Sequence, residues 1–401
     1  MNIIFLTMVT IDGVKNRGIY TDLMRKYRDE GHGVYIVCPR ERCLDLPTEL
    51  VETDGVYILG VRTLNLQKTS VIEKGIGQIS VEFLFTQAVK KYLGKIQFDI
   101  ILYSTPPITF TGVVRFLKCR NTQAIRYLLL KDIFPQNAVD LGMFGAHGLI
   151  SWWFRRKEVS LYRNSDFIGC MSPANASYLL CHNRFLQCNQ VEVAPNSIEL
   201  NIGNKDMGSG ERIIVREHYG LPTNKPIFIY GGNLGKPQGI NFIIECLDAV
   251  KSRDDCHFLI VGDGTEYARI EKWQRNTHPD NISIIQRLPK NEYDQLVQAC
   301  DVGLIFLDYR FTIPNYPSRL LSYLESHMPI IACTDAVCDM GPIAEANGYG
   351  YWCGSNSVEA FNACVDKMLD SDVKAMGENG YEFLCKNYLV DNTYNAIMSH
   401  V

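Results

Sequence analysis

The sequence predicts an α/β protein made of two doubly wound, parallel-sheet domains in tandem. Three observations lead there. Short apolar runs rich in β-branched residues alternate with amphipathic helical stretches, the pattern of βαβ units with crossover helices on both faces of a sheet. That alternation restarts near residue 226, after the polar, turn-rich stretch Asn201–Gly210, which reads as a linker. The length, 401 residues, suits two domains, each of roughly 100–200 residues.

The elements follow in order. Asn2–Val9 reads as a buried strand, Gly18–Glu30 as a helix stopped by Gly31, and Gly33–Cys38 as a strand ended by Pro39. Phe98–Tyr103 and Ala124–Leu130 are further strands. In the second half, Pro226–Tyr230 is a strand running into Gly231-Gly232, and Ile240–Ser252 is a helix. His257–Val261 is a strand followed by Gly262-Asp263-Gly264, with a helix starting near Glu266. Ile282–Ile285, Val302–Phe306 and Pro329–Cys333 complete the series. The expected division is a first domain over 1–202, a second over 203–384, and a terminal helix over about 385–401 that packs back on the first.

Composition narrows the functional classes. Hydrophobic residues are 46% and charged residues 21%, enough to build large cores, which excludes global disorder. Lys plus Arg is 40 against 44 Asp plus Glu, net −4, which argues against a protein that coats nucleic acid. The 14 cysteines are scattered with no CxxC pair, so neither a zinc ribbon nor a thioredoxin-like motif is indicated. Reduced thiols in a cytoplasmic protein are expected. Met1-Asn2-Ile3-Ile4-Phe5-Leu6 lacks the basic region and cleavage site of a signal peptide. No run reaches the ~18 apolar residues of a membrane span.

Ligands bind open α/β sheets at the carboxyl ends of the strands, and three loops there are unusual. Gly231-Gly232-Asn233-Leu234-Gly235-Lys236-Pro237-Gln238-Gly239 joins a strand to a helix with four glycines in nine residues. Glycines let backbone amides approach a ligand, the helix start adds partial positive charge, and Lys236 adds a full one. This suits a phosphate; a plain strand-to-helix turn is the alternative, and no P-loop pattern is present. Gly262-Asp263-Gly264-Thr265-Glu266 begins like a dinucleotide fingerprint but has Tyr267 at the third glycine, so a phosphate- or ribose-facing turn is expected instead. In Pro314-Asn315-Tyr316-Pro317-Ser318-Arg319-Leu320, Pro317 suits a first helical turn and Arg319 can bind a diphosphate bidentately. A surface arginine on an amphipathic helix is the alternative.

The ordered set of these loops, with Pro329-Ile330-Ile331-Ala332, Ala194-Pro195-Asn196-Ser197 and Lys131-Asp132-Ile133-Phe134-Pro135, resembles the retaining nucleotide-sugar glycosyltransferases of family 4, with the GT-B fold. The resemblance spans most of the chain and is nearest the bacterial capsule and O-antigen branch that includes L-fucosamine transferase-like proteins. It implies two Rossmann-like domains facing a cleft. It implies that Arg319 holds the donor diphosphate, assisted by Lys236 and the amides of Gly232, Asn233 and Gly235. Gly18, after Asn16 and Arg17, matches a glycine loop facing the donor from the other domain. Gly262, Gly264, Tyr316, Pro317 and Ser318 fall in the donor loops, and Arg287-Leu288-Pro289 lies where the family's backbone reads the nucleobase. Asp132 falls near the acceptor-side catalytic position; capping a turn is its alternative role.

The chain also departs from the family. Asn233 and Gln238 stand where relatives carry Arg and Lys, so more charge work falls on Lys236 and Arg319. Pro314 and Ser322 stand where relatives carry two glutamates; Glu325, three residues beyond Ser322 on the same helical face, is a substitute for the ribose contact. With Lys and Arg at the leaving group, and no carboxylate pair or His/Cys cluster at metal spacing, no metal or other cofactor is expected.

Leu141–Phe154 is 14 residues without formal charge, followed by Arg155-Arg156-Lys157. Trp152, Trp153 and Phe154 beside that triplet favour a lipid headgroup boundary; a core helix is the alternative, and His147 reads as structural or interfacial. The expected activity is transfer of a deoxy or N-acetylamino sugar from a UDP-sugar to a polyprenyl-diphosphate-linked saccharide, in peripheral contact with the inner face of the cell membrane. A nucleotide-sugar 2-epimerase of the same fold and a catalytically silent nucleotide-sugar-binding relative are the rival classes.

Overall fold

Strand-forming residues that are apolar on both faces dictate sheets covered on both sides, and the computed structural model contains two. It describes residues 1–65, 71–201 and 207–401, and for 71–76, 78 and 79 the backbone alone. The chain forms two units, Met1–Glu199 with Leu389–Val401, and Leu200–Tyr388. The expected linker and the 202/203 boundary fall largely outside the described residues; the helix Ser209–His218 begins inside the linker's expected end.

The first unit has eight strands: β1 (Asn2–Leu6), β2 (Gly33–Glu41), β3 (Glu49–Thr53), β4 (Val56–Thr63), β5 (Ile100–Ser104), β6 (Ile125–Leu130), β7 (Phe167–Cys170) and β8 (Val191–Val193). Their order is β3-β4-β2-β1-β5-β6-β7-β8, parallel throughout except for the β3–β4 hairpin. That hairpin turns on Asp54-Gly55, both at positive φ (52° and 76°), the two-residue turn whose twist matches the strands. Pro39 does not end β2; it pairs in register with Val61 of β4. The Val37 carbonyl faces β1, accepting from the Thr7 amide, so Pro39, two residues on, presents its missing N–H to a side where β1 has already ended.

The second unit has six parallel strands: β9 (Ile227–Asn233), β10 (His257–Asp263), β11 (Ile282–Gln286), β12 (Val302–Phe306), β13 (Ile330–Thr334) and β14 (Gly350–Gly354), in the order β11-β10-β9-β12-β13-β14. β9 and β10 run further than their sequence suggests. Gly231, Gly232 and Asn233 stay in register with Val261, Gly262 and Asp263.

In each sheet one strand is flanked by the next strand on one side and a later one on the other. The reversal falls between β1 and β5 in the first sheet and between β9 and β12 in the second. A crevice opens at the carboxyl ends there, because the connections leave to opposite faces.

The chain's end is two helices. Val373–Asn387 belongs to the second unit, and Val390–Met398 to the first. The latter packs on the helix Ile19–Asp29, with Tyr394 against Tyr27 (centroids 5.0 Å apart), its hydroxyl 3.0 Å from His32 Nε2, and Asp391 on Lys26 at 2.7 Å. Thr393 Oγ1 donates to the Pro195 carbonyl (3.1 Å).

Candidate active site

In the second unit the reversal point gathers most of the expected donor residues. Gly232 adopts φ +139°, and a side chain on it would overlap the Arg319 guanidinium. Arg319 Nη1 donates to the Gly231 carbonyl, and its guanidinium lies 4.3 Å from the centre of the Tyr230 ring. Arginine carries five N–H groups in a fixed fork, so this seat engages one edge and leaves donors for a ligand. Close packing also dictates two other glycines: Cβ atoms on Gly262 and Gly264 would strike the Gly232 and Leu234 carbonyls.

The loop after β9 is tied from within and from its neighbours. Asn233 Nδ2 and the Gly235 amide both donate to Gln238 Oε1 (3.2 and 3.1 Å). The Leu234 amide donates to the Asp263 carbonyl (2.9 Å), and the Asp308 amide, just after β12, donates to the Pro237 carbonyl (2.9 Å). Lys236 stands exposed on this braced loop, and its side chain makes no hydrogen bond or ion pair among the described residues. Lys236 and Arg319 are thus two cations presented from the two elements that flank the reversal point.

The remaining donor-side residues divide. Pro317 is half-buried and Ser318 exposed just ahead of the helix Arg319–Glu325. Arg287 and Leu288 follow β11 at the same sheet edge, two strands or roughly 10 Å from β9. Tyr316 is buried, with its hydroxyl 2.5 Å from that of Tyr388, so it supports the loop from beneath. Ser322 donates back to the Arg319 carbonyl (2.9 Å). Glu325 sits at the far end of the helix, accepting from the Asn201 amide (3.0 Å) and lining a pocket with His327. That is six residues, roughly 9 Å of helical rise, from Arg319. The structure does not bring Glu325 to the donor loops.

In the first unit, Gly18 caps the helix Ile19–Asp29, its amide bonded to Asp22 Oδ1 (2.9 Å). Asp22 is fully buried; it also accepts from the Glu199 amide (3.0 Å) and pairs with Arg25 (2.7 Å). Asp54, on the hairpin turn, accepts from the Val14 amide (3.1 Å) and pairs with Lys15, which holds its carboxyl below the usual range. The helix-side half of the loop between β1 and its helix is therefore fastened by two carboxylates, at Val14 and at Gly18. A cavity of about 650 Å3 is lined by this loop, from Val9 to Thr21.

Asp132 follows β6. Asn137 Nδ2 reaches both its oxygens (2.8 and 2.9 Å), and Thr105 Oγ1 accepts from the Lys131 and Asp132 amides (3.0 and 3.3 Å). Burial pushes the Asp132 carboxyl up to about 6, against the Asn137 bonds. Burial also brings the neighbouring Lys131 amine down to about 7; its Nζ donates to the Ala194 carbonyl (3.3 Å). Adjacent groups tuned from opposite directions toward neutrality are suited to proton handling.

The stretch after Leu141 is a loop and then the helix Leu149–Arg163. Trp152 is 56% exposed, while Trp153, Phe154 and Arg155 are half-buried and Arg156 is exposed. Phe154 packs on Phe134 (4.8 Å between centroids), and Arg156 lies 4.8 Å over Trp152. His147 is exposed.

Among the described residues no group of three His, Cys, Asp or Glu side chains could hold a metal ion, and no helix is long and apolar enough to cross a membrane. All 14 cysteines are free.

Residues 211–383 match the family described as Glycosyl transferases group 1. The second unit carries a group 1 glycosyltransferase domain. The chain is 25% identical over 325 residues to WbjE of Pseudomonas aeruginosa, named a probable glycosyltransferase, covering 80% of this chain and 78% of the relative. It is 29% identical over 159 residues to WcaI of Escherichia coli (strain K12), named as a colanic acid biosynthesis glycosyl transferase, covering 39% and 38%. Among solved structures, a sucrose-phosphate synthase from Thermosynechococcus elongatus superposes with TM-score 0.76 at 15% identity, over 100% of both chains. Anabaena HepE in complex with UDP-glucose superposes with TM-score 0.68 at 14% identity, over 100% and 99%. These show the fold, GT-B, with two parallel-sheet α/β domains. The protein is a glycosyltransferase.

Several residues of this glycosyltransferase were not singled out from sequence. Asn137, Thr105, Asp22 and Asp54 position the loops. Only Asp54 carried a readable signal, the Asp-Gly pair between two apolar runs. Lys131 was visible only as part of its motif.

Proposed function

We propose that the protein moves a deoxy or N-acetylamino sugar from a UDP-sugar to a lipid-diphosphate-linked saccharide in capsule or O-antigen synthesis. The transfer retains anomeric configuration and needs no metal. The observation that carries the reading is the pair of cations at the β9/β12 reversal: Arg319 seated on Gly231 and Tyr230, and exposed Lys236 on the braced glycine loop. When the sugar–phosphate bond breaks, its electrons pass to the nucleoside diphosphate. Fixed cations and amides there stabilise that charge as it forms, each worth roughly 2–4 kcal/mol of barrier. Asp132, held by Asn137, takes the proton of the acceptor hydroxyl as its oxygen bonds to the sugar carbon. Arg287 and Leu288 border the nucleobase. The Leu149–Arg163 helix, with Trp152, Trp153, Phe154, Arg155 and Arg156, meets the inner membrane surface, where a lipid-linked acceptor resides.

The UDP-glucose complex of HepE and the polysaccharide role in WcaI's name support donor and pathway class. The test is a thermal-shift titration with UDP, GDP, ADP, NAD and nucleotide sugars on wild type and Arg319→Ala. At ~100 times its dissociation constant a ligand of the folded state adds about 2.7 kcal/mol. Stabilisation by UDP that Arg319→Ala loses is expected; stabilisation by NAD, or by nothing, overturns the reading.

A further inference from the structure

A groove of about 1120 Å3 runs along the Leu149–Arg163 helix, and the donor and acceptor chemistry leaves it unused. Five of its lining residues are cationic, Arg115, Arg155, Arg156, Lys157 and Arg163, and none is acidic. In a chain of net charge −4 this is a local inversion. Two of the five are neutralised from outside the lining: Arg155 pairs with Glu158, and Lys157 lies 3.4 Å from Glu82. Arg115, Arg156 and Arg163 have no carboxylate partner among the described residues. Arg156 and Arg163 are instead steadied over aromatic rings, Trp152 and Phe185, at 4.8 Å each. A ring fixes a guanidinium without discharging it.

The same helix begins with an exposed apolar tip. Leu149 is 86% exposed, Ile150 59% and Trp152 56%, and Met143 in the preceding loop is 63%. Large apolar groups gathered on one surface mark an interaction site. Apolar and indole side chains at one end of a helix, with unpaired arginines along its flank, match a bilayer surface: acyl chains below, phosphates at the headgroup level. A protein partner would instead favour an interface core depleted of charge.

We infer that this groove and its rim dock the protein on anionic phospholipid. Arg115, Arg156 and Arg163 pair with headgroup phosphates, and Leu149, Ile150 and Trp152 enter the acyl boundary. The inference rests on the membrane contact proposed above; it adds selectivity for negative headgroups and names the residues that supply it.

The test is co-sedimentation of the full chain with phosphatidylcholine vesicles, with and without added phosphatidylglycerol. Binding is expected only with phosphatidylglycerol, and to weaken as sodium chloride is raised. Arg115→Gln, Arg156→Gln and Arg163→Gln are each expected to lower partitioning about fivefold; all three are exposed, and unchanged melting curves check that the variants fold. Ile150→Ser with Trp152→Ser is expected to abolish sedimentation. Equal binding to both vesicles, or arginine variants that bind like wild type, overturns the inference while the membrane contact stands. If neither vesicle binds, both fall. If inorganic diphosphate raises the melting temperature through these arginines and no vesicle binds, the groove is a soluble-anion site and the inference is overturned.

Discussion

The Arg319 guanidinium lies in the space that a side chain on Gly232 would occupy, and it donates to the carbonyl of the residue before that glycine. The glycine and the arginine are therefore one device. Without the missing Cβ and the positive φ, the cation has no seat beside Tyr230.

Gly232→Ala is accordingly expected to displace Arg319 and to reduce kcat/KM about 100-fold, the typical loss of one charge-stabilising contact. The strained backbone also costs about 1–3 kcal/mol of stability. Combined with Arg319→Ala it is expected to add little further loss in rate, because both changes remove the same contact. Steady-state kinetics on the two single variants and the double variant provide the check; fully multiplicative losses would separate the two residues.

The Asp132 carboxyl is pushed up to about 6 from an ordinary 3.8. The folded protein keeps a proton that the unfolded chain gives up between those values, so stability falls as pH rises from about 4 to about 6. Asp132→Asn is expected to flatten that part of the curve, by up to about 2 kcal/mol in urea unfolding. The same variant is expected to remove an ionisation near pH 6 from the kcat/KM profile. Asn137→Leu moves it upward, since the lost bonds favour the carboxylate.

Asp22 serves Gly18, Glu199 and Arg25 from a fully buried position. Asp22→Ala strands the Gly18 and Glu199 amides, while Arg25 keeps its pair with Glu199 (2.7 Å). The expected cost is about 2–4 kcal/mol, from roughly 1–3 kcal/mol per stranded buried donor. Chemical denaturation followed by tryptophan fluorescence measures it. A loss under about 1 kcal/mol would mean that water replaces the carboxylate.

Tyr316→Phe separates support from contact. The Tyr388 hydroxyl loses its partner, costing about 1–2 kcal/mol, while UDP affinity is expected to stay within about twofold of wild type. A larger drop in affinity would place the Tyr316 hydroxyl on the nucleotide.

The fold was legible because β-branched runs such as Ile227-Phe228-Ile229 carry their period in themselves. Their ends were not. Gly231 and Gly232 look like loop, but their partners Val261 and Gly262 keep the ladder going, and pairing across strands overrides local propensity. Pro39 looks like a stop, yet the side it faces had no strand left to serve. At the site, cations in glycine-rich loops declare themselves by composition. Asn137 does not: it meets Asp132 only after the chain turns through Ile133-Phe134-Pro135. Glu325 shares a helical face with Ser322 in any helix, but its position at the C-terminal end ties it to Asn201 instead of the donor loops.

The return of Val390–Met398 to the helix Ile19–Asp29 sets an order of assembly. A ribosome makes the residues that complete the first unit after every residue of the second. The Tyr27 and Pro195 surfaces that the final helix covers stay open while residues 200–388 are translated. The first unit's sheet is therefore complete in sequence well before the helix that covers its flank exists.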